Sequence, residues 1–99
     1  MTNETAITVR GIDHVVIRTN AVEEMLLFYQ DVLGCKLERN IEDLGLFQLR
    51  AGSALIDLVD VDGPLGRKGG GPPRNDTRNM DHLCLQIESW DEEAIRTYL

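Results

Sequence analysis

The sequence GIDHVVIRTNAVEEMLLFYQDVLGCKLER, residues 11–39, decides the fold of this 99-residue chain. Residues 11–19 are rich in β-branched side chains, which predicts a strand. Asn20 follows in the position of a helix N-cap, with a glutamate three residues later as its capping-box partner. Apolar residues then recur at helical spacing, which predicts a helix over about 21–33 with Gly34 as its C-cap. The apolar face of this helix comprises Val22, Met25, Leu26, Tyr29, Val32 and Leu33.

Three short runs with the composition of strands follow the helix, at residues 35–40, 46–50 and 54–61. The breaks between them, at 43–45 and 51–53, contain glycine flanked by residues that favour turns. Connections as short as these favour an antiparallel meander. The order of one strand, one helix and three strands predicts an α+β unit of the βαβββ type.

Residues 63–79, GPLGRKGGGPPRNDTRN, differ in composition from the rest of the chain. They contain all three prolines, four basic residues and one acidic residue. This composition predicts a long loop, which is either a spacer between two units or a lid that covers a substrate.

The pattern of the first strand returns after this loop. Residues 80–88, MDHLCLQIE, match residues 12–20, IDHVVIRTN, in register, and a second helix is predicted to open near Asp91. Self-similarity on this scale indicates a duplicated unit. We therefore expect four segments. They are an N-terminal segment (1–10), a first βαβββ module (11–62), the Gly/Pro-rich loop (63–79) and the start of an incomplete second module (80–99).

The composition excludes several classes of function. Seventeen acidic residues against ten basic ones give a net charge of −7, so binding to nucleic acid or to an anionic membrane surface is not expected. No apolar run reaches the roughly 18 residues of a membrane-spanning helix, and residues 1–10 lack the pattern of a signal peptide. Cys35 and Cys84 are too few for a disulfide framework, which favours two core cysteines in a cytoplasmic protein.

Two histidines occupy equivalent positions of the repeat, His14 and His82. Side chains alternate across a strand, so His14 shares a face with Val16 and Arg18, opposite the more apolar face that packs against the helix. A pseudo-twofold relation between the repeats would bring the two imidazoles together as a divalent-metal pair. The alternative is a pair of hydrogen-bonded structural histidines. The preceding aspartates are expected on the opposite face, capping the strand starts or orienting the backbone.

Asp57 stands among apolar residues in the run ALIDLVDV, residues 54–61. An unpaired buried carboxylate costs several kcal/mol, so it needs a partner. Metal coordination would supply one, which makes Asp57 a candidate third ligand. A hydrogen bond from Arg18 or Arg50 is the alternative.

The motif FYQDVLG, residues 28–34, together with the strand GIDHVVIRT before it, resembles the opening of the vicinal oxygen chelate superfamily. This superfamily includes glyoxalase I, methylmalonyl-CoA epimerase, extradiol dioxygenases and the fosfomycin- and bleomycin-resistance proteins. The resemblance extends from residue 11 to residue 99. It implies two βαβββ modules that form a cupped mixed sheet around a divalent metal. The metal ligands implied are His14, Asp57, in place of the usual glutamate or glutamine, and His82. A glutamate that often serves as the catalytic base falls beyond Leu99, so the chain is expected to be truncated.

The function implied by the resemblance is that of a glyoxalase-like lyase or isomerase. Adjacent oxygens of a small-molecule substrate would chelate a nickel, manganese, iron, cobalt or zinc ion. The ion would then stabilise an enediolate-type intermediate. Three alternatives stay open: a non-catalytic drug-binding protein of the resistance type, an extradiol dioxygenase-like protein, and an inert fragment. In the drug-binding alternative, basic residues of the loop would contact an anionic ligand. An incomplete second module further predicts a homodimer in which modules pair across chains.

Overall fold

The computed structural model of the protein describes residues 6–7, 9–69 and 89–99. Its centre is a four-stranded mixed sheet with the strand order β1-β4-β3-β2. The strand β1 is parallel to β4, and the other two neighbouring pairs are antiparallel. This topology confirms the predicted βαβββ module and its antiparallel meander. The strands are β1 (His14–Thr19), β2 (Lys36–Ile41), β3 (Leu46–Ala51) and β4 (Ala54–Asp60).

Several predictions fall on residues 70–88, which lie outside the described residues. They include the strand at 80–88, His82, Cys84 and most of the Gly/Pro-rich loop. The division of the chain into one complete and one incomplete module therefore stays a prediction.

The predicted helix over 21–33 is present, but it has two parts. The helix α1 (Val22–Leu27) continues as a π-helical segment, Phe28–Val32. The prediction that Asn20 caps this helix is wrong, because Ala21 occupies the N-cap and no side chain caps it. The N–H of Ala21 donates instead to Thr19 Oγ1 at 2.9 Å, which turns the chain from β1 into the helix. The C-cap is Leu33, one residue before the predicted Gly34, which follows it with φ of +72° and donates its N–H to Gln30 O at 3.1 Å.

The hydrophobic core lies between this helix and one face of the sheet. Residues from the helix and from β1 pack against its buried members, and the alternation predicted for β1 is confirmed. Val15 and Ile17 contact the core, whereas Val16 between them is 49% exposed. Full burial of one such aliphatic side chain contributes about 1.5–3 kcal/mol, so this face holds the layers together. The buried members of the core are Tyr29, Leu49, Ile56 and Leu58.

The strand β1 begins three residues later than predicted. Gly11 has φ of +156°, a conformation that other residues rarely adopt, and regular pairing with β4 begins only at His14. Just before it, the carbonyl of Asp13 accepts the N–H of Leu55 at 2.9 Å. Asp13 therefore precedes the assigned strand but is joined to β4 through its carbonyl.

The first residues of the predicted loop form a short helix, α2 (Pro64–Arg67), rather than irregular chain. Gly66 lies buried against the end of β4, where an added Cβ would approach Val61 Cα to 2.6 Å. Arg18 on β1 also donates from Nη2 to Gly66 O at 3.0 Å. These contacts fasten α2 to one end of the sheet.

The helix α3 (Glu92–Tyr98) confirms that a helix opens near Asp91. Asp91 is its N-cap and accepts the N–H of Ala94 on Oδ1 at 3.1 Å. The Tyr98 hydroxyl donates to Asp31 O at 3.2 Å, which links this helix to the π-helical segment.

Candidate functional site

The face of the sheet that lies opposite the helix carries most of the polar strand residues. We call it the open face and define it by the residues that the strand register places on that side. The register sets Asp57 beside Val16 on one neighbouring strand and beside Gln48 on the other. His14 lies on β1 two residues before Val16, so it is diagonal to Asp57. The open face comprises His14, Val16, Arg18, Lys36, Arg39, Ile41, Leu46, Gln48, Arg50, Leu55, Asp57 and Val59.

Asp57 is buried on this face with only 5% of its surface exposed. Its Oδ2 accepts a hydrogen bond from Gln48 Nε2 at 3.2 Å. Its Oδ1 is shielded from solvent and accepts no hydrogen bond from the residues that the structure describes. A buried acceptor without a partner costs about 1–3 kcal/mol, and more when the group is charged. The structure therefore contains a carboxylate oxygen that a cation or a donor on a ligand would stabilise.

The prediction that Arg18 or Arg50 supplies the hydrogen bond to Asp57 is wrong. Arg50 is held by Glu38 in a bidentate ion pair, with both N–O distances at 2.9 Å. This pairing lowers the pKa of Glu38. Arg18 donates to Gly66 O instead. The donor to Asp57 is the neutral amide of Gln48, so the negative charge of Asp57 is not neutralised by either arginine.

His14 presents its ring at the edge of the open face, with its side chain 45% exposed. Its Nδ1 lies 2.8 Å from Asp13 Oδ2. This hydrogen bond raises the pKa of His14, and the nearby charge of Asp57 raises it further. Since a carboxylate accepts, the proton lies on Nδ1 in the neutral ring and Nε2 is left as the lone-pair donor. An imidazole oriented in this way by a carboxylate is typical of metal-binding histidines.

The role of Asp13 differs from the one predicted. It was expected to cap the strand start or orient the backbone from the opposite face, but its Oδ2 lies 2.8 Å from Nδ1 of the neighbouring histidine ring. Gln48 is a second residue that the sequence alone did not single out. The signal for it was weak: a polar side chain at alternating spacing in the apolar strand β3.

The structure brings two of the three predicted metal ligands to the same face on neighbouring strands, His14 and Asp57. His82 lies outside the described residues, so its convergence with His14 stays a prediction. Within residues 6–7, 9–69 and 89–99, no three His, Cys, Asp or Glu side chains form a group that could hold a metal ion. In the same part of the chain, no helix is long and apolar enough to cross a membrane.

Comparisons with known proteins agree with this architecture. The family model described as Glyoxalase/Bleomycin resistance protein/Dioxygenase superfamily matches residues 11–97. No curated protein matches the sequence.

Three solved structures are similar to the chain, and the two with TM-scores above 0.5 support the fold alone. Integron cassette protein HFX_CASS4, from the mobile metagenome of the Halifax Harbour sewage outfall, has a TM-score of 0.64 at 13% identity, covering 91% of this chain and 68% of that one. Integron cassette protein VCH_CASS1, from the mobile metagenome of V. cholerae, has a TM-score of 0.63 at 18% identity, covering 95% and 68%. A glyoxalase/bleomycin resistance protein/dioxygenase from Nocardioides has a TM-score of 0.49 at 21% identity, covering 64% and 39%.

Proposed function

Because the chain belongs to the Glyoxalase/Bleomycin resistance protein/Dioxygenase superfamily, we propose that it binds a divalent metal ion through His14 and Asp57. The observation that carries this proposal is the buried Oδ1 of Asp57, which accepts no hydrogen bond and lies on the same face as His14. A divalent cation at this position would compensate the carboxylate charge that the surrounding protein leaves uncompensated.

The residues present fit such an ion. Imidazole nitrogen and carboxylate oxygen together suit the first-row metals that the resemblance implies, from manganese to zinc. Asp13 orients the imidazole of His14, and Gln48 holds the carboxylate of Asp57. Two protein ligands leave the remaining positions of an ion to other donors. We propose His82 as the third protein ligand, and a homodimer as the assembly that completes the site.

The proposed reaction is that of a lyase or isomerase acting on a small molecule with adjacent oxygen atoms. A divalent ion supplies Lewis acidity toward those oxygens when it is bound. The residues of this chain bind the ion and orient the side chains that hold it. In its neutral form His14 presents the lone pair of Nε2, Asp57 presents Oδ1, and the burial of Asp57 keeps water from its carboxylate.

The test is metal binding by the purified protein, measured by calorimetry with Ni²⁺, Mn²⁺, Co²⁺ and Zn²⁺ after removal of metal. We expect the wild type to bind one ion per site, and His14→Ala and Asp57→Leu to lose that binding. Asp62→Leu serves as the matched control, because Asp62 is an exposed carboxylate just beyond β4. Equal affinity in all four proteins would contradict the proposal. It would favour the non-catalytic binding protein considered from the sequence.

A further inference from the structure

Gln48 is the residue through which the sheet holds Asp57. It lies on β3 directly across from Asp57 on β4, and the two side chains share the open face. Its Nε2 donates to Asp57 Oδ2 at 3.2 Å, which is the hydrogen bond that the described residues provide to this carboxylate. The bond occupies one oxygen and leaves the other, Oδ1, without a partner.

The chemistry of the donor matters as much as its position. An arginine or lysine at this place would bring a full positive charge, form an ion pair with Asp57 and compete with any cation. A glutamine amide fixes the carboxylate and stays neutral at every pH. Two arginines on the same face are engaged elsewhere, Arg50 with Glu38 and Arg18 with Gly66, and a third, Arg39, lies on β2, which β3 separates from the strand of Asp57. The arrangement therefore orients the carboxylate of Asp57 without neutralising it, so that it can bind a metal cation.

We propose that Gln48 is a positioning residue of the metal centre, which holds Asp57 Oδ2 so that Oδ1 is available to the cation. This inference rests on the proposed metal binding. Gln48 acts through Asp57 and is not itself a ligand. Residues that orient a metal ligand in this way typically change metal affinity by about 10–100-fold when they are replaced.

The experiment compares Gln48→Met with Gln30→Met in the metal-free 99-residue chain titrated with Co²⁺. Methionine keeps the length of glutamine and removes its donor. Gln30 is the matched control, because its Nε2 donates to Leu26 O within the helical segment rather than to the open face. We expect Gln48→Met to weaken Co²⁺ binding about 10–100-fold and to change the visible Co²⁺ absorption, which reports the ligand set. Gln30→Met should leave both unchanged.

A second measurement does not depend on metal. In the metal-free protein, Asp57→Leu should shift the side-chain amide resonances of Gln48, because their acceptor is lost. Unchanged resonances would overturn the proposal, whether or not metal binds.

The outcomes separate this inference from the proposed function. If Asp57→Leu abolishes Co²⁺ binding while Gln48→Met binds like the wild type, the positioning role is refuted and the metal site stands. A loss of affinity in Gln48→Met with an unaltered Co²⁺ spectrum would likewise refute it, since that is the signature of a structural role alone. If the wild type binds no Co²⁺, both proposals fail.

Discussion

Replacing Asp57 with leucine should stabilise the metal-free protein, although it removes a proposed functional group. The carboxylate is 5% exposed, and its Oδ1 accepts no hydrogen bond. Leaving a buried acceptor unsatisfied costs about 1–3 kcal/mol, which the substitution recovers. Leucine also fits the apolar neighbours on this face, Val16, Leu55 and Val59. Against this gain, the bond from Gln48 is lost, at about 0.5–1.5 kcal/mol.

The net expectation is that Asp57→Leu raises the free energy of unfolding of the metal-free protein by about 1 kcal/mol. The assay is urea unfolding followed by circular dichroism after treatment with a chelator. The midpoint should rise at an unchanged slope, because the surface exposed on unfolding stays the same. Asp62→Leu, the exposed control, should stay within about 0.5 kcal/mol of the wild type.

Bound metal should make the wild type more stable than Asp57→Leu, which reverses their order in the metal-free state. At a free Ni²⁺ concentration of 100 times Kd, the wild type gains about 2.7 kcal/mol and Asp57→Leu gains nothing. The reasoning is refuted if metal-free Asp57→Leu is less stable than the wild type by 1 kcal/mol or more. Such a result would mean that the carboxylate stabilises the fold through an interaction of its own.

Three further predictions concern the histidine, the short helix and the core. Asp13→Asn should lower the pKa of His14 toward the ordinary 6.5, because the hydrogen bond that His14 Nδ1 donates to the Asp13 carboxylate is the largest cause of its elevation; an unchanged NMR titration would contradict this. Gly66→Ala should detach α2 and speed amide exchange over Pro64–Arg67, since the new Cβ meets the backbone of β4; unaltered exchange would show that α2 shifts without cost. Leu58→Ala, at a fully buried position, should lower the free energy of unfolding by about 2–5 kcal/mol. Leu27→Ala, at a 59% exposed position, should change it by about 0.5 kcal/mol or less, and similar losses in the two variants would refute the packing described here.

The fold was largely predictable because its signals are local. Apolar residues at helical spacing predicted the helix, and glycines at the breaks predicted the turns, where Gly45 and Gly52 do adopt positive φ. Alternation in β1 predicted which side of the strand enters the core. The errors occur at element ends, where one residue decides the outcome. Asn20 precedes the observed N-cap, Ala21, whose N–H donates to the hydroxyl of Thr19.

The candidate site was predictable only in part. His14 and Asp57 could be proposed from residue type and pattern, and parity placed His14 on the correct face. Their partners could not be deduced, because Asp13 and Gln48 become partners only through the start of a strand and the register between two strands. The sequence made Arg18 and Arg50 candidate donors to Asp57. In the structure Arg18 donates to Gly66 O and Arg50 donates to Glu38.

By itself, the sequence determined the order of strands and helix, the side of each element that enters the core, and the family to which the chain belongs. These properties depend on periodicity and turn chemistry, which act over a few residues. Only the tertiary structure decided which side chains meet across the sheet. The parallel pairing of β1 with β4 brings His14 to a position diagonal to Asp57, and the antiparallel pairing of β3 with β4 brings Gln48 to the same carboxylate. Register is a relation between distant segments, so no local pattern encodes it, and the unpartnered oxygen of Asp57 becomes visible only once the strands are paired.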